Sequence, residues 1–456
     1  MSDQLRKYQD KEAFVSGHSG STLHEILLMC TVIPIGLQLY YKLLPFVDSK
    51  QKIFLEFAVL ILPMVVVQTS WLDDIGNVML LVSMMTVAYI LPAKKVNANQ
   101  VKDPSSYDEL KRPSFLSIHR SSVYLLTTIA ILAVDFPIFP RKYCKTETCG
   151  YGWMDLGAAS FVIIGGWTSS LSPPGISSHS VVNKSIKKCA PLLLLGVIRL
   201  LTNKRLEYQE HVSEYGVHWN FFFTLCFMEL FVVVWRRFKP NLGSGVPLDG
   251  IVATATMITY QMYLSSGGQD FIENGERRCT AKYNEAWTMC DVFYANREGI
   301  LGSVGYVCVR LLSEEIGRFC LTSASRHQNL VVSTLLLWVV HLVFTVLLQV
   351  PTSRRTTNLP FILWALAHNM TILSLIEYVT TSFTLANDNK PPTIPCILNA
   401  VNRNGLAVFL VSNILTGLVN LTVDTLHASN GKAMGILSMY LAAVCGIAFF
   451  LDKLII

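Results

Sequence analysis

Charge is the scarcest resource in this 456-residue chain: Asp, Glu, Lys and Arg make up 15% of it, against 52% hydrophobic residues. Mean hydropathy is +0.43. Soluble domains carry roughly 25% charged residues, so the shortage excludes a water-soluble globule and leaves an integral membrane protein. The net charge of +6 is spread over short loops with no Lys/Arg block, which removes nucleic acid from the expected partners. Eleven cysteines are scattered, with no CxxC and no Cys/His set at zinc spacing; no metal is expected. GxSxG, a P-loop, GxGxxG behind a strand and HExxH are all missing, which takes support from hydrolase, ATP-driven pump and zinc-protease readings. The start, MSDQLRKYQDKEAFVSGHSG, lacks the basic, apolar and small-residue pattern of a cleavable signal, so the first span is expected to direct insertion.

What the chain has in quantity is apolar runs near the ~20 residues that a bilayer requires. They fall at 23–45, 53–71, 75–91, 122–140, 153–171, 189–203, 219–238, 246–266, 297–313, 330–350, 359–384, 404–424 and 433–451. The expected fold is therefore all-α, a polytopic membrane protein of about thirteen spans, forming a single unit over residues 1–456. The Asp73–Asp74 turn makes spans two and three a hairpin. No loop reaches the roughly 50 residues of a separate domain.

Orientation follows the loop basic residues. The excess is modest and rests on the six Lys/Arg in 92–121. It puts that loop in the cytosol, with 46–52, 172–188, 239–245, 351–358 and 385–403. The N-terminus then lies on the lumenal side, with 141–152, 204–218, 267–296, 314–329 and 425–432, and the C-terminus is cytosolic. The sequon Asn183-Lys184-Ser185 is expected to carry no glycan, and those at Asn369 and Asn420 fall inside spans. If their loops face an oxidising lumen, Cys144 with Cys149, or Cys279 with Cys290, are candidate disulfides.

The densest chemistry lies in TTIAILAVDFPIFPRKYCKTETCGYGWMD, Thr127 to Asp155. A carboxylate, Asp135, follows an uncharged apolar run. An acid at the edge of hydrocarbon is expensive and marks a functional site by default. Pro137 removes a helical donor and clashes with the carbonyl of Ala133, so the helix should break near Asp135. Arg141, Lys142 and Lys145 follow Pro140, and the chain can fold back to bring Lys145 toward the carboxylate. A helix end with snorkelling basic residues explains the same residues about equally well.

Three other stretches are rich in hydrogen-bonding groups. LEYQEHVSEYGVHWNFFF holds Glu207, Tyr208, His211, Glu214, His218, Trp219 and Asn220 ahead of a span; an aromatic belt explains Trp219 but not two histidines and three glutamates. FYANREGI places Asn296 and Arg297 at the start of another span, where a planar guanidinium suits a phosphate. NRNGLAVFLVSNILTGLVNLTVDT embeds Asn404, Asn413 and Asn420, with Asn413, Thr416 and Asn420 on one helix face. Such a stripe serves helix–helix hydrogen bonding or lines a cavity. His341 and His368, alone in apolar spans, read as buried hydrogen-bonded residues.

Together AILAVDFPIFPRKYCKTET, LEYQEHVSEYGVHWNFFFTL, ANREGI, NGL, TGLVN, VDTLHASN and the early EAFVSGHSGSTLHEI resemble one family, the glycosylphosphatidylinositol (GPI) inositol acyltransferases of the endoplasmic reticulum. The basic run departs from that family's Arg-Arg-Phe-Ala-Lys, reading Arg141-Lys142-Tyr143-Cys144-Lys145. The resemblance implies about thirteen helices, a lumenal N-terminus and a cytosolic C-terminus. It implies transfer of a fatty acyl chain, typically palmitoyl, from acyl-CoA to the inositol 2-hydroxyl of glucosaminyl-phosphatidylinositol. The family's catalytic pair falls on Asp135 and Lys145. Acyl-CoA enters as co-substrate, with no other cofactor implied, and Arg141, Lys142 and Arg297 are candidates for its phosphates.

A base that takes the inositol proton suits such chemistry, and Lys145 would orient that base or stabilise the oxyanion. Two other classes compete. A lipid flippase or transporter would use intramembrane acids for coupling. A different membrane acyltransferase would use His211 or His218 as base.

Overall fold

The computed structural model describes residues 14, 17–48, 50–91, 113–171, 189–201, 212–239, 246–279, 288–387 and 392–455. Among them the regular structure is helical, with no strand. Six helices are long and apolar enough to cross a membrane: Leu23–Phe46, Ser114–Ala133, Arg326–Leu347, Leu359–Ala386, Gly405–Thr422 and Asn430–Leu454. Each of the remaining expected spans also falls on helix, the sixth on Cys189–Leu201.

Local signals set the boundaries. The Leu23–Cys30 helix opens on a capping box in which Thr22 accepts from Glu25 N and the Glu25 carboxylate returns to the Thr22 amide. Asp73 caps Asp74–Ile90 by accepting from Gly76 N at 2.6 Å, which makes the expected tight turn. The fourth helix covers Ser114–Ala133 rather than 122–140. Its start moves earlier: Pro113 stands extended just before the first turn, and Arg120 lies over the Tyr124 ring, 5.8 Å away. Its end comes before Pro137, as the missing donor requires. The ninth helix runs past 313 to Leu321. Charges there are tolerated because Glu314 is shared by Arg236, Arg310 and Arg318 at 2.6–2.7 Å.

Contacts divide the chain into two compact units: residues 1–19, 146–151 and 158–367, and residues 20–145, 152–157 and 368–456. In the first, Leu248–Tyr263 and Phe221–Phe238 pack along Arg297–Leu321. In the second, Cys396–Arg403 packs on Ser114–Ala133 and on Asn430–Ile455, Gly405–Thr422 joins Ser114–Ala133, and Val32–Leu43 lies against Asp74–Ile90.

The first unit corrects the assignment of two loops. The 351–358 loop was expected with the cytosolic set, yet Thr352 O accepts from Gly150 N at 2.9 Å, Arg354 pairs with Glu214 and Arg355 with Glu298. It therefore lies with residues 148–150, with Glu214 and with Glu273 and Glu298 at one end of this unit. Arg318, in the 314–329 stretch, instead meets Asp249 at 2.7 Å, which Lys239 also reaches. Strict alternation of spans gives the same result: a helix that starts beside 267–296 must deliver the next loop to the opposite end.

Among the candidate disulfides, Cys279–Cys290 is formed, whereas Cys144 and Cys149 are thiols.

Candidate active site

In the second unit the chain leaves the Ser114–Ala133 helix in a tight turn, with Asp135 N donating to Leu132 O at 3.2 Å. Arg141 builds the return. Its Nε and Nη2 donate to Phe139 O, its Nη1 to Val134 O at 3.0 Å and its Nη2 to Phe136 O at 2.9 Å. One guanidinium thus ties together three carbonyls of the turn that follows the broken helix, of which Phe136 O also accepts from Phe139 N. Burial lowers the pKa of Arg141, opposed by Cys144 and Asp135. Ser70 fixes the loop from outside, its N and Oγ both donating to Ile138 O.

The side chain of Asp135 is partly buried and accepts from Asn420 Nδ2 at 2.8 Å. A polar ladder continues behind it. Tyr440 OH donates to Thr128 O at 3.2 Å and accepts from Thr416 Oγ1 at 3.4 Å, and Thr128 meets Ser412. Thr416 and Asn420 thus face inward, as the spacing predicts. Asn413 is exposed and returns its amide to Phe409 O. Asn404 donates to Ala400 O and Ala448 O, joining two helices.

The basic run splits three ways. Arg141 is committed to carbonyls. Lys142 pairs with Asp74 at 2.9 Å and Glu25 at 3.2 Å; burial works against its charge, but those carboxylates outweigh it and raise its pKa. Lys145 is exposed beyond Cys144. Burial pushes the Cys144 thiol up, opposed by Arg141.

The first unit holds the other expected residues, apart from Glu207, Tyr208 and His211, which lie outside the described residues. Most have structural partners. Asn220 caps Phe221–Phe238 through Phe222 N and Phe223 N. Asn296 Oδ1 accepts from His218 N at 2.7 Å. Trp219 donates to Thr224 Oγ1 at 2.9 Å and lies so close to Gly299 that a Cβ there would strike its ring. Arg297 is buried and donates to Ile272 O, Glu276 O and Tyr294 O. His341 sits between Tyr151 OH at 3.1 Å and Pro360 O at 3.0 Å, the buried role expected of it.

Two pairings are not legible along the chain. In the sequence Asn420 is one member of a polar stripe, and only its place near a span's end, at the same end as an intramembrane acid, points to Asp135 as its partner. Arg277, Arg354 and Arg355 read as loop charges, whereas Glu298 draws Arg277 and Arg355 together.

The class these features define is a helical, multi-span membrane protein with a hydrogen-bonded carboxylate at a broken helix end. Residues 7–451 match the family model described as GWT1. The chain is 38% identical over 377 residues to GPI-anchored wall transfer protein 1 of Yarrowia lipolytica, covering 78% of this chain and 75% of that protein. It is 33% identical to the protein of that name in Gibberella zeae, covering 99% and 98%, and 33% identical to an uncharacterized protein of Arabidopsis thaliana, covering 88% of each. The chain belongs to the GWT1 family.

Proposed function

We propose that the chain acts in GPI-anchor biosynthesis as an acyl-CoA-dependent inositol O-acyltransferase of the endoplasmic reticulum membrane, N-terminus lumenal and C-terminus cytosolic. The acceptor is the inositol 2-hydroxyl of glucosaminyl-phosphatidylinositol, and the donor is palmitoyl-CoA or a similar thioester. Membership of a family whose curated relatives are named for GPI-anchored wall transfer supports the pathway. The observation that carries the chemistry is the carboxylate of Asp135, held by Asn420 at 2.8 Å where a span breaks.

Asp135 accepts the hydroxyl proton as the inositol oxygen attacks the thioester carbonyl. A tetrahedral oxyanion forms. It collapses with cleavage of the C–S bond, the acyl group stays on the inositol oxygen, and the CoA thiolate leaves and takes the proton from Asp135, which restores the carboxylate. Lys145 orients the carboxylate or stabilises the oxyanion. Asn420 and Arg141 are positioning residues, one on the carboxylate and one on the backbone that carries it.

The test is turnover by purified protein of labelled palmitoyl-CoA with glucosaminyl-phosphatidylinositol. Asp135→Asn and Lys145→Ala are each expected to abolish transfer in monodisperse protein, and normal turnover by either removes that residue from the mechanism. A flippase would give no labelled product with the parent protein. A histidine-based mechanism would lose activity in His218→Ala instead of Asp135→Asn.

A further inference from the structure

Asp135 and Asn420 meet at the ends of two helices of the second unit, Ser114–Ala133 and Gly405–Thr422, that run parallel. Their pairings rise together along the chain. Gly405 lies so close to the Tyr124 ring that a Cβ there would strike it. Thr128 Oγ1 lies 3.4 Å from Ser412 Oγ, and Asn420 donates to Asp135 at 2.8 Å. A slide of one helix along the other therefore disturbs the last pair, which the proposed chemistry needs.

A third helix, Asn430–Ile455, reads that register through Tyr440. The side chain is buried. Its one hydroxyl proton lies between two backbone oxygens, Thr128 O at 3.2 Å and Ser412 O at 3.3 Å, and its oxygen accepts from Thr416 Oγ1 at 3.4 Å. A helix carbonyl has a second lone pair beyond the one its own helix uses. Backbone oxygens cannot turn away as side chains can, so the hydroxyl is held only where both helices present these carbonyls at one level. A slide by a single residue moves a carbonyl roughly 1.5 Å, enough to break either bond. No water replaces a hydrogen bond lost inside hydrocarbon, which favours the register that keeps it. Thr128 precedes Asp135, and Ser412 precedes Asn420, by about two helical turns, roughly 10–12 Å. Thr416 sits one turn before Asn420 on the same face.

We propose that Tyr440 is a positioning residue for acyl transfer: its hydroxyl locks the register of the two parallel helices and thereby holds Asn420 on Asp135. The role rests on the acyl-transfer reading, to which it adds a residue on a third helix that acts through Asn420.

Tyr440→Phe tests it, because it removes the hydroxyl and keeps the ring. Initial rates with labelled palmitoyl-CoA are compared for the purified parent, Y440F, Asn420→Ala and the double variant. Y440F should lower kcat by roughly 3- to 15-fold, the rate equivalent of one interhelical hydrogen bond in a membrane bundle, with KM for palmitoyl-CoA unchanged. In the N420A background the same substitution should change kcat by less than about twofold, since a brace that acts through Asn420 has nothing left to hold. Monodisperse Y440F with kcat within about twofold of the parent overturns the proposal. So does a double variant in which the two losses multiply, the outcome expected of a residue that only supports the fold. If Y440F does not purify as a single species, Thr416→Val decides, because it removes the hydroxyl from which Tyr440 accepts. A fall in kcat of at least about twofold that vanishes in the N420A background supports the brace, and an unchanged kcat overturns it. Parent protein that makes no labelled product overturns the acyl-transfer reading and this role with it. Active parent, inactive Asp135→Asn and normal Y440F overturn this role alone.

Discussion

Asn420→Ala isolates the contact on which the proposed chemistry depends. The amide donates to Asp135 at 2.8 Å, and the truncation removes that donor and little else. A hydrogen bond to a charged group contributes roughly 1.5–3 kcal/mol. Each ~1.36 kcal/mol is tenfold in rate, so full expression of that loss in the transition state means a fall of roughly 10- to 150-fold. Because Asn420 touches the proposed base and is not assigned to either substrate, the fall should appear in kcat with KM for palmitoyl-CoA nearly unchanged, the signature of an interaction made in the transition state. Asn420→Asp should be worse still, since it sets a like charge against Asp135. The assay is initial-rate acyl transfer by purified protein at saturating acceptor lipid, with size-exclusion profiles confirming the fold. A monodisperse N420A protein that turns over within twofold of the parent would refute the reasoning and leave Asp135 as an ordinary helix-end acid.

Arg141→Ala removes the donors to Val134 O and Phe139 O and one of the two donors to Phe136 O and should cost about 1.5–3 kcal/mol, read as a lower melting temperature together with lost activity. Lys142→Met should cost about 1 kcal/mol or less, as expected of a partly exposed ion pair. Since the pKa of Lys142 is raised in the folded protein, that contribution is complete at neutral pH and fades as pH climbs through the raised value, so parent and variant melting curves should converge only in strong base. Reducing Cys279–Cys290, or replacing both with Ser, should lower stability by about 2–3 kcal/mol, checked by melting with and without reductant. Gly305→Ala drives a Cβ into the backbone oxygen of Thr357 and should destabilise by about 1–3 kcal/mol, read as a lower melting temperature.

The sequence alone determined the solvent in which this chain works and where its helices run. Fifteen per cent charge against 52% hydrophobic residues admits one environment, and apolar runs of bilayer length report themselves without any partner. The break at Asp135 was legible for the same reason: Pro137 blocks a helix whatever surrounds it. The two-residue cap at Asp73 and the buried, hydrogen-bonded role of His341 were likewise written locally.

Tertiary structure decided which polar groups meet. Asn420 lies 285 positions from Asp135, and Arg355 lies 57 from Glu298; helix periodicity places a residue on a face but does not name the helix opposite. The same limit explains Arg297, whose sequence context suits a phosphate while its guanidinium is taken up by three carbonyls. Span limits moved where buried charges found partners, as at Glu314, because the cost of a charge in a helix depends on what neutralises it. Composition and local backbone chemistry act within a few residues and can be read in order along the chain; pairing energies act across the bundle and exist only once it has assembled.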